Sequence, residues 1–210
     1  MPATAAPPEQ RVVLENVSWD TYERLLQENV ESVGTRFTYD GGLLEIMVVG
    51  VGHENPNRTL AALAEIVAEE TKRDFCRTGS TTFKRRDLGK GFEPDSCYYL
   101  QNAARVRGKD ELDLNNDPPP DLVIEVDITR SSLNRFPIFG AVGVPEVWRY
   151  DGERVRMYRL RGTEYEEILA SGALPPLTAE RATLFLEQSK TQTSTEWLSQ
   201  VREWVRASIR

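Results

Sequence analysis

Apolar residues at Tyr22, Leu25, Leu26 and Val30 fall at helical spacing between Trp19 and Glu31, and Ser18 can cap the first turn of that helix. Arg36 to Tyr39 and Leu43 to Val49 flank Asp40-Gly41-Gly42, which predicts a hairpin whose second strand carries Glu45 among apolar neighbours. The longest amphipathic pattern opens at His53-Glu54-Asn55-Pro56. It places Leu60, Leu63, Ile66 and Val67 on one face as far as about Lys72, a helix that packs on a sheet. Phe75 to Phe83 has strand composition, the basic Lys84 to Lys90 follows as a turn, and Pro94-Asp95 leads into a strand over Ser96 to Leu100. Gln101 to Asp117 is polar and charged and predicts an exposed loop.

Pro118-Pro119-Pro120 stops that loop, and Leu122, Val123, Ile124, Val126 and Ile128 then form the most β-prone run of the chain. Strand alternation puts Asp121, Val123, Glu125 and Asp127 on one face and the other apolar residues on the opposite face. Three carboxylates on a mostly buried strand cost several kcal/mol unless something offsets them. Two readings account for them. In one, a divalent cation is held by oxygen ligands, for which magnesium or manganese is suited. In the other, Asp121 caps a turn, Asp127 opens the next loop and Glu125 makes a structural ion pair. His53 and Glu54, at a helix N-terminus, suit a metal or phosphate site or are ordinary N-terminal residues.

Ser131 or Ser132 can cap a helix from Leu133 to Val142, made less regular by Pro137 and ended by Gly143. Val147 to Tyr150 and Val155 to Leu160 predict a second hairpin over Asp151-Gly152, with a further strand at Tyr165 to Leu169. Pro175 to Leu186 leads into a helix. A terminal helix over Thr195 to Ile209 carries Trp197, Val201, Trp204 and Val205 on one stripe, either core or a dimer interface.

The 210 residues fit one α/β domain over 13–190, with a flexible tail over 1–12 and a helix over 191–210 packed on the domain or on a partner subunit. No apolar run approaches the roughly 18 residues of a membrane span, and the first eight residues lack a secretory pattern, so a soluble, cytoplasmic protein is expected. Cys76 and Cys97 have no metal-type spacing. The net charge of −7 disfavours nonspecific nucleic-acid binding. Within it, however, Lys72, Arg73, Arg77, Lys84, Arg85, Arg86 and Lys90 outnumber Asp74 and Asp87, a local patch that could hold phosphates or be a solvated loop.

Tyr39 to Met47, His53-Glu54, Gly79 to Thr82, Glu93-Pro94-Asp95, Pro119 to Val126 and Gly143 to Trp148, in this order, resemble the PD-(D/E)XK nuclease superfamily and, more closely, the bacterial Uma-type restriction endonuclease family. The match runs from about Trp19 to Glu187. The resemblance implies a restriction endonuclease-like core, a central mixed β-sheet flanked by helices, with an N-terminal helix and hairpin and a C-terminal helix. It implies hydrolysis of DNA phosphodiesters with Mg2+ or Mn2+ held by Asp95 and Glu125, assisted by Glu54. Asp121 competes with Asp95 as second ligand, and Asp127 is an extra ligand or a loop residue. Asp127 stands where the motif has lysine; related members place a basic residue on the following helix, here Arg135, which cannot serve as a general base. Lys84, Arg85, Arg86 and Lys90 are the DNA-binding candidates, with Glu45 and His53 as possible helpers. Duplex cutting needs two sites, so a homodimer is expected, with no membrane partner. Two other classes remain open: a degenerate member that binds nucleic acid or a protein without cutting, and a metal-dependent hydrolase of another phosphoester on the same scaffold.

Overall fold

The structure is a computed structural model and describes residues 9–29, 34–128 and 133–209. The elements in chain order are β1 (Glu9–Leu14), α1 (Trp19–Glu28), β2 (Thr35–Asp40), β3 (Leu43–Val49), α2 (Val51–Glu70), β4 (Cys76–Arg77), β5 (Phe83–Arg85), β6 (Lys90–Phe92), β7 (Ser96–Tyr99), α3 (Ala103–Val106), β8 (Leu122–Val126), α4 (Phe136–Val142), β9 (Glu146–Tyr150), β10 (Val155–Arg161), β11 (Glu164–Ile168), α5 (Ala179–Ser189) and α6 (Ser194–Ser208).

These strands make two sheets, of which the second is the central mixed sheet expected and the first is built around the expected N-terminal hairpin. The first is antiparallel, in the order β1-β3-β2-β6-β5; the second runs β11-β10-β9-β8-β7-β4 and is mixed, with β8 and β9 parallel. A parallel pair needs a crossover, and α4 lies within it between β8 and β9. The predicted hairpin is β2–β3, turned by Gly41 and Gly42 at φ of 53° and 106°, values that glycine adopts without a Cβ penalty. It forms the middle of a five-stranded sheet because β1 pairs with β3 from Leu44 to Val49 and β6 pairs with β2. Residues 9–12, read as tail, therefore belong to an edge strand. Residues 1–8 lie outside the described residues.

Several other boundaries move for local reasons. The Phe75 to Phe83 segment splits into β4 and β5, which belong to different sheets, with a turn at Gly79 (φ 56°) between them. The Lys84 to Lys90 turn contains the ends of the β5–β6 hairpin, and the 101–117 loop includes the single turn α3. α4 starts at Phe136 rather than Leu133, which puts Pro137 in its first turn, where a missing N–H costs nothing; Gly143 ends it at φ 85°. The caps expected at Ser131 or Ser132 lie outside the described residues.

The apolar face of β8 (Leu122, Ile124, Val126) packs with Trp148 against α2, α5 and α6, burying Leu60, Leu63, Val67, Phe185, Trp197, Val201 and Val205. The terminal helix thus spends its stripe on the chain's own core, with Trp204 partly buried against it and edge-on to Phe185. This helix packs on the domain, and the surface on which a homodimer was expected is internal. The other face of β8 buries Val123 with Phe92, Tyr99, Phe139 and Val147 under α3 and α4, and α1 covers the first sheet through Tyr22, Phe37, Tyr39 and Leu44. No helix among the described residues is long and apolar enough to cross a membrane.

Candidate active site

The β7–β8 ladder stops at Ser96 opposite Ile124, which leaves the next backbone groups of β8 without a strand partner. Pro94 has no N–H to continue it. Side chains fill the gap. The Val126 N–H donates to Asp95 Oδ2 at 2.8 Å, and the Val126 carbonyl lies 2.9 Å from His53 Nε2, on the first turn of α2. A carbonyl only accepts, so Nε2 carries the proton; it also stands 3.1 Å from Asp95 Oδ2. Asn57, one helical turn after His53, donates to the Asp95 carbonyl and accepts from Ser96 Oγ, which fixes the Pro94-Asp95 corner to α2.

Glu125, one residue before Val126, faces the opposite side and meets Arg135, whose Nη1 donates to Glu125 Oε2 at 2.5 Å. The Nη2 of Arg135 donates to Glu45 Oε1 at 3.0 Å, and Arg11 Nη1 reaches the same oxygen at 3.0 Å. Arg11 Nη2 donates to Asp127 Oδ1 at 3.2 Å, and Arg149 donates to the other Asp127 oxygen. Arg11, Glu125, Asp127, Arg135 and Arg149 line an open cleft of about 340 Å³, walled by Leu133, Phe136, Phe139 and Val147. Burial pushes the Glu125 carboxyl up to about 7 against the lowering pull of Arg135, and the charge of Asp95 adds to the rise. Burial alone would lower Arg135, but Glu125, Asp95 and Glu45 hold it above its ordinary value, so it stays cationic.

Two buried carboxylate oxygens in this arrangement, Asp95 Oδ1 and Glu125 Oε1, have no hydrogen-bond partner among the described residues. An unpaired buried oxygen of an ionised group is expensive, and a cation held by Asp95 and Glu125 would offset that cost. Among the described residues no group of three or more His, Cys, Asp or Glu side chains forms a ready metal-ligand set. A two-carboxylate site still fits magnesium, which keeps several waters and takes one or two protein carboxylates.

The Uma2 family model, described as "putative restriction endonuclease", matches residues 19–187. The chain belongs to the Uma2 family. No curated protein matches it. Four solved chains do. One is the crystal structure of "a putative nuclease belonging to DUF820" from Anabaena variabilis, 13% identical, with a TM-score of 0.49 over 71% of this chain and 90% of that one.

In this Uma2 protein the residues expected at the site divide into two groups. Asp95, Glu125, Arg135, Asp127, Glu45 and His53 converge, although Glu45 and His53 lie 50 and 42 residues from Asp95 in the chain. Asp121 does not join them. Four residues of strand are about 13 Å, and its carboxylate is filled by the Leu100 N–H (2.7 Å), the Asn102 N–H (2.9 Å) and Asn102 Nδ2 (2.6 Å). Asp121 and Glu125 thus share a face of the sheet but not a site, and Asp121 caps a turn. Glu54 points outward and pairs with Arg58 one helical turn on. Lys84 and Arg86 pair with Glu23, Arg86 also with Asp20, Arg85 with Asp87 and Lys90 with Asp40, all away from the cleft lining.

Arg11 and Arg149 are the charged cleft residues that sequence reasoning missed. Nothing local marks Arg11, since its place depends on β1 pairing with β3. Arg149 stands opposite Glu125 in the parallel β8–β9 register, a relation visible only once that pairing is known.

Proposed function

We propose that the protein is a Mg2+- or Mn2+-dependent endonuclease that hydrolyses DNA phosphodiester bonds, with Asp95 and Glu125 as the cation's carboxylate ligands. The observation that carries this reading is the pair of buried, partnerless oxygens, Asp95 Oδ1 and Glu125 Oε1, the second of them on a residue that lines the cleft. Family membership supports the nuclease class. When bound, a divalent ion supplies an acidified water and positive charge at the phosphoryl oxygen.

The chain's own residues prepare that chemistry. Val126 N–H and His53 hold Asp95 by Oδ2, which leaves Oδ1 to point away from its tether. Glu45 and Glu125 together fix the Arg135 guanidinium at the cleft, where it opposes the charge that builds on phosphorus. Arg135 cannot take a proton from water, because its pKa is raised from an already high value. The Lys84–Lys90 hairpin would make outer backbone contacts, its surface ion pairs being weak enough to exchange for phosphates.

A second reading, a nuclease fold that binds nucleic acid without cutting, is favoured by Asp127. It stands at the motif's lysine position and is tied to two arginines. Plasmid nicking separates the two. Cutting by the wild type with Mg2+ or Mn2+, abolished by a chelator and by Glu125→Gln, supports the endonuclease; DNA binding without cutting under any divalent ion supports the second reading.

A further inference from the structure

Both oxygens of Asp127 are taken by guanidinium groups, Oδ1 by Arg11 and Oδ2 by Arg149, whereas Asp95 and Glu125 each keep one oxygen unpaired. Identical chemistry on neighbouring positions is thus used in opposite ways. We propose that Arg11 and Arg149 grip a backbone phosphate of the DNA strand beside the scissile bond, and that Asp127 is their positioning residue rather than a cation ligand. This rests on the nuclease reading above and adds to it the part of the site that binds the strand.

The guanidinium fork matches carboxylate and phosphate alike, so two arginines converging on one carboxylate already have the spacing to converge on one phosphate. Both line the cleft together with Glu125 and Arg135, and Arg149 is opposite Glu125 in the strand register, which puts the grip next to the proposed cation ligands. The Arg149 side chain is 37% exposed, so an incoming strand can reach it. Arg11 is anchored more deeply, at 11%, by Glu45, the residue that also holds Arg135. One buried acid therefore couples the grip to the arginine facing the scissile phosphate.

Charge points the same way. Arg11, Arg135 and Arg149 are set among the carboxyl groups of Glu45, Glu125 and Asp127. A divalent ion on Asp95 and Glu125 would add positive charge beside the two arginines, which favours a phosphodiester there. Arg11 comes from β1, outside the family-matched segment, so the edge strand completes the site rather than trailing from it.

The test uses the full chain with Ca2+ and a short fluorescent DNA duplex, following affinity by anisotropy over a salt series, with thermal melting of every variant. Arg149→Gln and Arg11→Gln should each weaken binding on the order of tenfold and lower the salt slope by about one. Arg149→Lys should recover the slope but not the full affinity. Asp127→Asn should bind Mn2+ within about twofold of wild type by calorimetry, because it is not among the ligands. Cooperatively melting arginine variants with wild-type affinity and slope would overturn the proposal, as would loss of Mn2+ binding in Asp127→Asn. If Arg11→Gln does not fold, Arg149→Gln decides alone. A wild type that nicks plasmid DNA while Arg149→Gln binds unchanged removes only this proposal; a wild type that neither binds nor nicks DNA removes the nuclease reading with it.

Discussion

Buried acids sit at both ends of the β8–β9 pair, and only the end at Glu125, where Asp127 is saturated, leaves two others half paired. At the start of the strands, Asp121 accepts three hydrogen bonds, and Glu146 accepts from Trp148 Nε1, Ser171 Oγ and the Gly172 and Ala173 N–H groups. At the end of β8, Asp95 and Glu125 are held by one oxygen each while the other has no partner. The first arrangement is complete as it stands and fastens loops to the sheet. The second is incomplete, and folding alone gives no reason to leave a buried oxygen unpaired on each of two acids at this end. Saturation, rather than burial or residue type, separates structural acids from candidate ligands here.

The largest effect should follow from Glu125→Gln, which keeps the shape and removes the charge. Mg2+- or Mn2+-dependent nicking should fall by about a thousandfold or more while the protein still melts cooperatively. Wild-type nicking would place the metal elsewhere. At the saturated end, Asp121→Asn and Glu146→Gln each turn an NH2 group toward N–H or O–H donors and should cost about 1–3 kcal/mol of stability. Nicking per folded molecule should be kept. Loss of nicking without loss of stability would erase the distinction between the ends.

The pH dependence of stability is a smaller effect. Glu125 is raised from 4.5 to about 7 in the folded state, so between those values the native protein binds more protons than the unfolded chain. Without metal, stability from this group is therefore present at low pH and lost as pH rises through that window, with a slope of at most about 1.4 kcal/mol per pH unit. Glu125→Gln should flatten that part of the profile, as measured by denaturant unfolding. The smallest effect should come from the exposed hairpin. Glutamine at Lys84, Arg85 and Arg86 together should weaken DNA binding less than about tenfold, because these side chains exchange surface ion pairs for phosphate contacts. Unchanged binding would make the hairpin a solvated turn.

The strand of acids and the Pro94-Asp95 corner were legible in the sequence because each lies within a local pattern of proline, β-branched residues and carboxylates, whereas Arg135 was reached only through the family resemblance. The same period-two rule misled at Asp121, since alternation specifies a face but not a position along it. The structural reading of the β8 acids accounts for Asp121, which caps a turn, and for the ion pair of Glu125; the oxygen that Glu125 keeps unpaired is the ground on which the metal reading is proposed. The basic patch was visible as a count along the chain. Its acidic partners Asp20, Glu23 and Asp40 come from α1 and β2, and such neutralisation depends on tertiary contacts. Arg11 and Arg149 were hidden for that reason too, since each reaches the cleft through strand pairings that no local pattern specifies.

The most direct test is calorimetric titration of Mn2+ into the wild type, Asp95→Asn, Glu125→Gln and Asp121→Asn. The account predicts binding by the wild type and by Asp121→Asn, and none by the other two. Equal binding by all four proteins, or none by the wild type, would contradict the assignment of Asp95 and Glu125 as cation ligands.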